Sequence, residues 1–174
     1  SYYGLALALG SAEMTMEDLV RLYAMLPNGG LLRPLRRRVA DPRPEGTRLL
    51  EEESSYMVLD ILKENPRPSQ GFRSDWTRNP LPVHWKTGTS FAFRDAWSLG
   101  VFGPYVLAVW IGNFDGESNP AFIGAEAAAP LMGHPASQLA CPLRARSVAI
   151  LRCARKALPA GLVSGCVLVD VLCP

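Results

Sequence analysis

Long hydrophobic runs and a strong excess of one charge are both missing from this chain of 174 residues. A membrane-spanning helix needs about 20 consecutive apolar residues, and because no run approaches that length, the sequence predicts no bilayer-spanning segment. The formal net charge is only +2, whereas nucleic acid or an anionic membrane surface requires a clustered positive excess. Neither is therefore predicted as a partner, and the basic residues 36–38, surrounded by prolines, are interpreted as a solvated loop.

Cysteine is absent from the first 140 residues, and the four cysteines all follow: Cys141, Cys153, Cys166 and Cys173. No C-x-x-C pair occurs and His134 is the one histidine nearby, which disfavours a zinc site, so we expect neither a metal nor another cofactor. Disulfides would require an oxidising compartment, and the spacing alone does not establish them. Residues 2–10 are apolar without a preceding basic region, so we predict no signal peptide there and expect any targeting signal upstream.

Two helices are predicted in the first half of the chain. Thr15 followed three residues later by Asp18 is typical of a helix start, and apolar residues then recur at helical spacing up to the Pro-Asn-Gly-Gly at 27–30. The glutamates at 51–53 favour the start of a second helix, which extends to about Asn65. Residues 66–82 are rich in Pro, Ser and Gly and are interpreted as a long surface loop bordering a substrate cleft.

Three adjacent strands are predicted at 83–91, 96–102 and 105–111, with Gly103 and Pro104 forming the second turn. Both alternating residue sets of the third strand are apolar, which predicts that it is covered on both faces. A short alanine-rich helix interrupted at Pro130 is expected at 124–131. Two helices, three antiparallel strands and a further helix indicate an α+β domain, an antiparallel sheet with flanking helices.

The first of these strands carries the run Lys86-Thr87-Gly88-Thr89-Ser90. At a sheet edge, Lys86 supplies a positive charge, and the hydroxyls of Thr87 and Thr89 can donate to a substrate carboxylate. Gly88 leaves room for a substrate against the backbone, and the backbone amide of Thr89 is a candidate oxyanion donor. We therefore predict Lys86 and the Thr89 amide as catalytic groups and residues 86–90 as the substrate-binding set.

The run resembles one of three elements that together build a known type of acyl-transfer site, and the other two are S-x-x-K and S-D-N or a relative of it. No serine in the chain is followed by lysine three residues later or by asparagine two residues later. The nucleophile is therefore missing from this chain. We expect the chain alone to be inactive.

The wider sequence resembles the class A penicillin-binding proteins over about residues 2–132. The segments that carry the resemblance are YGLALALG at 3–10, MTMEDL at 14–19, YAMLPNGG at 23–30, WKTGTS at 85–90, FRDAW at 93–97 and VWIGNFDG at 109–116. The last three are similar to the 1C branch in particular. The resemblance implies a partial transpeptidase domain with the fold of penicillin-binding proteins and β-lactamases.

The activity that this resemblance implies is that of a peptidoglycan D,D-transpeptidase, which cross-links stem peptides through an acyl-serine and is acylated by β-lactams. The implied partners are stem peptides, β-lactams and an N-terminal remainder bearing the nucleophile, a glycosyltransferase domain and a membrane anchor. The implied location is the periplasmic face of the bacterial inner membrane. Arg94 and Asp95 are expected to shape a turn beside the cleft, and Trp85, Trp97 and Trp110 to be core or cleft-wall residues.

The resemblance ends near Leu131, which divides the chain into 1–132, the C-terminal part of a transpeptidase domain, and 133–174, a cysteine-containing tail. The tail is interpreted as the product of a reading-frame shift, as a disordered segment or as a divergent extension. Two other functions stay open: a non-catalytic module that keeps the penicillin-binding fold, and a fragment of a β-lactamase-like hydrolase. A domain cut through its middle exposes core faces, so we expect the fragment to aggregate or to need its missing part.

Overall fold

The computed structural model describes residues 3–36, 38, 40–42, 44–66 and 82–133, together with the backbone of a strand at 163–170. Most of the surface loop predicted at 66–82 and most of the predicted tail lie outside the described residues. A 3-10 helix, Gly4–Leu9, opens the described part of the chain, and none of its residues is buried.

Helix α1, Met16–Met25, begins where the capping pattern predicts. The Thr15 hydroxyl accepts the Asp18 backbone N–H at 3.1 Å, which satisfies one of the free amides of the first turn. The chain leaves the helix through Gly29 and Gly30, whose φ angles of 62° and 85° lie in the left-handed region that favours glycine. Burial raises the pKa of Tyr23 to about 12.

Helix α2, Glu52–Lys63, follows a two-stranded ribbon of β1, Leu31–Leu32, and β2, Thr47–Arg48. Its start after Glu51 confirms the position inferred from the glutamates. The apolar side chains of α2 are only partly covered by the rest of the protein. Leu59 and Leu62 are half-buried, and three others are 62–69% exposed: Tyr56, Met57 and Ile61. One side of α2 therefore presents apolar surface to solvent.

Four antiparallel strands form the main sheet in the order β3-β4-β5-β6. They are β3, His84–Thr89; β4, Asp95–Phe102; β5, Tyr105–Gly112; and β6, Val163–Asp170. The first three confirm the predicted strands, but β3 ends at Thr89 instead of continuing to 91. It ends there because Ala92 and Phe93, with φ angles of 59° and 56°, turn the chain through the left-handed region. Strand β6 was not predicted from the sequence.

The sheet has a hydrophobic cluster on each face. One cluster packs against α1 and consists of Val20, Leu99, Val101, Val106 and Ala108. The other lies under the helix that begins at Gly124, to which Met132 belongs, and it also includes Trp85, Phe102, Leu107, Val109 and Phe122. Strand β5 contributes to both clusters through residues that are 0% exposed, which confirms the prediction that it is covered on both faces.

The C-terminal helix begins as a π-helical turn, Gly124–Ala128, and continues as α-helix over 129–133. The predicted interruption at Pro130 is therefore wrong. Proline lacks the N–H of a normal helical turn, and the wider π turn just before it accommodates that gap. The helix is held on the sheet by Ala128, Ala129 and Met132, and the Ser98 hydroxyl donates to the Met132 sulfur at 3.2 Å.

The architecture is the α+β arrangement predicted from the sequence, with helices on both faces of an antiparallel sheet, and it is consistent with part of a transpeptidase domain. Within the described ranges, no helix combines the length and the apolar character needed to cross a bilayer.

Candidate active-site edge

Strand β3 is the outermost strand of the sheet among the strands that the structure describes, since it pairs only with β4. The register places Lys86 opposite Leu99, Gly88 opposite Trp97 and Thr89 opposite Ala96. The second half of the strand is open to solvent, because Lys86, Gly88 and Thr89 are exposed and Thr87 is half-buried. The edge position predicted for the Lys-Thr-Gly-Thr run is therefore observed.

The direction of the backbone amides follows from one hydrogen bond. The Ser90 N–H donates to the Asp95 carbonyl at 3.0 Å, and backbone groups in an antiparallel pair point alternately toward and away from the partner strand. The amides of Thr87 and Thr89 therefore point away from β4, toward the open edge. This is the orientation that an oxyanion donor at Thr89 requires.

The same alternation is visible at the start of β3. The Trp85 carbonyl, which belongs to the outward-pointing set, accepts a hydrogen bond from the Asn65 side-chain amide just beyond α2. Asn65 thus provides a hydrogen-bond partner for the outward-pointing carbonyl near the start of β3. The next outward-pointing backbone groups along the strand are those of Thr87 and Thr89. No pattern in the sequence predicts this contact, because the two residues are 20 positions apart in the chain.

The Thr89 side chain is fixed by the C-terminal helix. Its Oγ1 accepts the Gly124 backbone N–H at 3.0 Å, which satisfies one of the free amides at that helix start. The hydroxyl hydrogen of Thr89 stays available for donation, because the bond to Gly124 uses only a lone pair of Oγ1. Gly124 was predicted only as a helix start, and its role in positioning Thr89 was missed.

Gly124 also lies against the backbone of the edge. A Cβ built on it would be 2.3 Å from the Gly88 carbonyl oxygen and 2.8 Å from that of Trp97, closer than real Cβ atoms approach other heavy atoms. Only glycine therefore allows the helix to sit close enough to bond Thr89. A Cβ built on Gly88, in contrast, would meet only the Trp97 Cβ at 3.6 Å, an ordinary contact.

The Lys86 side chain reaches along the edge. Its Nζ donates to the carbonyl of Thr87 at 2.8 Å, and that carbonyl belongs to the outward-pointing set of the strand. The ammonium group therefore lies beside the outward groups of the edge. An ammonium can donate three hydrogen bonds, so a carboxylate placed there could receive further ones.

Ser90 stabilises the turn that follows β3 by hydrogen bonding to Asp95. Its Oγ accepts the Asp95 N–H at 2.7 Å, and its own N–H donates to the Asp95 carbonyl. The role predicted for Ser90 in substrate binding stays a prediction, because the structure gives it a local partner without testing that role.

Asp95 anchors an aromatic row on the α1 side of the sheet. Its Oδ1 accepts the Trp110 indole N–H at 2.9 Å. The ring of Trp110 lies 6.3 Å from that of Trp97 and 5.9 Å from that of Phe114, centroid to centroid. Asp95 thus shapes the turn after β3 through Ser90, as expected, and also supports this aromatic row. Trp97 and Trp110 are half-buried, whereas Trp85 is a core residue.

We expect Asp95→Ala to lower the free energy of unfolding by about 1–2 kcal/mol, because the half-buried Trp110 indole loses a charged hydrogen-bond acceptor. The measurement is urea unfolding of Asp95→Ala, Trp110→Phe and the double variant, followed by circular dichroism. In this cycle, Asp95→Ala should cost clearly less when Trp110 is already phenylalanine. Equal costs in both backgrounds would contradict the proposed anchor.

The described residues bring together an ammonium group, two hydroxyls and an outward amide, and no serine of the chain has the S-x-x-K pattern. They also contain no group of three or more His, Cys, Asp or Glu side chains arranged to hold a metal ion. The chemistry available at this edge is therefore the binding of an anionic group and the stabilisation of a developing negative charge.

No protein-family model matches the chain, but individual known proteins are similar to it in sequence. Penicillin-binding protein 1C of Escherichia coli is 31% identical over 128 residues, which cover 74% of this chain and 16% of that protein. Penicillin-binding protein 1A of Clostridium novyi is 31% identical over 79 residues, covering 45% of the chain and 9% of the relative.

A third relative carries an activity in its name. The probable peptidoglycan D,D-transpeptidase FtsI of Caulobacter vibrioides is 39% identical over 88 residues, covering 48% of this chain and 15% of that protein. The chain thus spans less than a fifth of the length of each of these three relatives. The similarity to the 1C protein agrees with the branch inferred from the motifs. The chain belongs to the penicillin-binding-protein family.

Proposed function

We propose that this chain supplies the substrate-binding and oxyanion strand of a peptidoglycan D,D-transpeptidase, and that the nucleophilic serine comes from residues outside these 174. The observation that carries the proposal is the open edge of β3. There an outward Thr89 amide, a Thr89 hydroxyl fixed by Gly124 and the Lys86 ammonium lie along one stretch of strand. The names of the relatives support this class of reaction.

In this proposal, the terminal carboxylate of a stem peptide binds to Lys86 and to the hydroxyls of Thr87 and Thr89. The peptide then lies along Gly88, which has no side chain to obstruct it. The serine oxygen loses its proton to a base outside these residues and attacks the scissile carbonyl, and the Thr89 N–H donates to the oxyanion that forms. Collapse of this intermediate breaks the C–N bond, expels the protonated amine and leaves the acyl-serine. Loss of one such donor raises the transition-state free energy by about 3 kcal/mol, so the strand contributes to the rate without holding the nucleophile.

The same groups would bind a β-lactam, whose carboxylate and reactive carbonyl correspond to those of the stem peptide. The site would face the periplasm, where peptidoglycan is cross-linked. The two partners proposed for this edge are therefore stem peptides and β-lactams, and the third is the part of the protein that carries the serine.

A labelled penicillin tests the proposal in two samples. We expect no covalent mass shift for residues 1–174 alone, because no serine here has the S-x-x-K pattern. We expect stoichiometric acylation of the full-length gene product that contains this chain, at a serine outside these residues. A full-length product that penicillin does not acylate would contradict the proposal, and labelling of the 174 residues alone would contradict the assignment of the nucleophile.

A non-catalytic module of the same fold is the second candidate, and the observation in its favour is the missing nucleophile. A module of this kind would keep the sheet and helices without needing Lys86 or an open edge. The upstream gene sequence distinguishes the two functions: a transpeptidase requires S-x-x-K and S-x-N ahead of these residues, and a non-catalytic module does not.

A further inference from the structure

The side chain of Asn65 covers the open edge of β3 near its beginning. Its Nδ2 donates to the Trp85 carbonyl, which belongs to the outward-pointing set of the strand. A peptide that adds to an open edge lies about 4.8 Å from the strand and places its own N–H groups at hydrogen-bonding distance from such carbonyls. The Asn65 amide therefore occupies the position that the backbone of an added peptide would take beside Trp85.

Contacts with α2 hold Asn65 in this position. A side-chain amide has two N–H donors, and Nδ2 of Asn65 also donates to the Leu62 carbonyl of α2 at 3.4 Å. At the first residue of β3, Nδ1 of His84 donates to the Leu59 carbonyl of the same helix at 2.7 Å. The end of α2 is thus joined to the start of β3 at two points, and Asn65 is half-buried there.

The orientation proposed for the ligand directs its carboxylate toward this covered end of the strand. The carboxylate lies at Lys86 and the scissile carbonyl at the Thr89 amide, so a group attached beyond the carboxylate points toward the start of β3. The outward carbonyls of Trp85 and Thr87 are two residues apart, which corresponds to roughly 7 Å along the strand. Lys86 donates to the Thr87 carbonyl and Asn65 to the Trp85 carbonyl. A ligand extended by two residues gains about 7 Å and reaches the Asn65 side chain.

We propose that Asn65 is a specificity-determining residue that restricts this site to ligands ending at the carboxylate bound by Lys86. This inference rests on the proposed function and deepens it, because it names the residue that rejects ligands extended at that end. Asn65 fills the space of an added backbone and uses the Trp85 carbonyl that an N–H of the extension would need. A longer ligand therefore binds only when Asn65 moves and gives up its hydrogen bonds to β3 and α2.

Two neutral amides of benzylpenicillin test ligand length separately from ligand charge. One is the carboxamide and the other is the glycylglycinamide, both formed at the carboxyl group, so they differ by two glycine residues. Mass spectrometry measures their second-order acylation rate constants with the full-length gene product. We expect the wild type to react with the longer amide about tenfold more slowly than with the carboxamide. In Asn65→Ala we expect this difference to fall below about twofold, because the obstructing side chain is gone.

Benzylpenicillin itself checks folding and the proposed function in the same samples. We expect its acylation rate constant in Asn65→Ala to stay within about threefold of the wild-type value, because this ligand ends before Asn65. Asn65→Ser is a second shortened variant that keeps a hydrogen-bonding group, and it decides the test if Asn65→Ala does not fold.

Asn28→Ala is the matched control. Asn28 follows α1 as Asn65 follows α2, and its Nδ2 donates to the Ala24 carbonyl at 2.7 Å. This bond joins Asn28 to α1 and not to β3. We therefore expect Asn28→Ala to keep the wild-type difference between the two amides.

The outcomes distinguish the inference from the proposed function. A gain of the longer amide relative to the carboxamide in the Asn65 variants supports the inference. An unchanged ratio overturns it, as does a longer amide that stays unreactive, and the proposed function stands if benzylpenicillin still acylates the protein. An equal loss with all three compounds shows a structural role alone and also overturns it. If benzylpenicillin does not acylate the wild-type product, the proposed function fails and the inference fails with it.

Discussion

Gly124→Ala, made in the full-length gene product that contains this chain, is expected to lower the free energy of unfolding by about 3 kcal/mol. The added Cβ would lie 2.3 Å from the Gly88 carbonyl oxygen and 2.8 Å from the Trp97 carbonyl oxygen. Because both oxygens belong to the backbone of the sheet, neither can rotate away. Overpacking of this kind costs about 1–3 kcal/mol, and the lost bond from the Gly124 N–H to Thr89 adds roughly 1 kcal/mol. The midpoint of urea unfolding, followed by tryptophan fluorescence, measures the change.

Gly88→Ala is the matched control for this experiment. Its new Cβ would meet only the Trp97 Cβ at 3.6 Å, and alanine is favoured over glycine in a strand interior by roughly 0.5–1 kcal/mol. We therefore expect its stability to equal that of the wild type or to exceed it slightly. If both variants unfold at the same urea concentration, the close approach of the C-terminal helix to β3 is not what fixes Thr89.

The sequence was a good guide to elements whose cause is local. Thr15 and Asp18 mark the start of α1 because the cap hydrogen bond joins residues three apart. The glutamates mark the start of α2 because carboxylates in the first turn, Glu52 and Glu53, are favourable at the positive end of the helix dipole. The strands β3, β4 and β5 are joined by short turns, so their pairing follows from their order. Because β3 is the first of these three consecutive strands, the Lys-Thr-Gly-Thr run that it carries could be placed on an edge of the sheet.

Contacts between distant residues could not be predicted in this way. The Gly124 amide meets Thr89 across 35 positions of sequence, and Asn65 meets Trp85 across 20. Neither pair has a pattern or a spacing that a single sequence reveals. The early end of β3 was missed for a different reason, since phenylalanine at a positive φ contradicts local preference and is held there by Ser90, Asp95 and Asn119.

These long-range contacts are also what orient the candidate site. The residue types of a carboxylate-binding strand can be recognised from the motif, but the motif does not orient the Thr89 amide or fix its hydroxyl. The ladder to β4 gives the amide its direction, and the C-terminal helix holds the hydroxyl. Substitutions on β4 or in the π-helical turn are thus expected to affect acylation without contacting the substrate.

Lys86→Ala is expected to slow acylation of the full-length gene product by penicillin about 10- to 100-fold. The variant loses a charged hydrogen bond to the substrate carboxylate, worth about 1.5–3 kcal/mol. We expect the fold to be unaffected, because Lys86 is exposed and its bond among the described residues is to the Thr87 carbonyl of its own strand. Lys86→Arg keeps the charge but changes its geometry, so we expect partial recovery. Stopped-flow or mass-spectrometric acylation kinetics at fixed ionic strength provide the measurement.

A penicillin methyl ester shows whether the loss comes from the carboxylate. The ester removes the ligand's charge, so the wild type should react with it more slowly, and Lys86→Ala should add little further loss. Lys63→Ala is the matched surface variant: its ammonium lies 3.7 Å from Asp60 on α2, and its removal should alter neither reaction. If Lys86→Ala slows the ester as much as the free acid, Lys86 acts on something other than the carboxylate, and its assignment as the anchor of the substrate's anionic end is wrong.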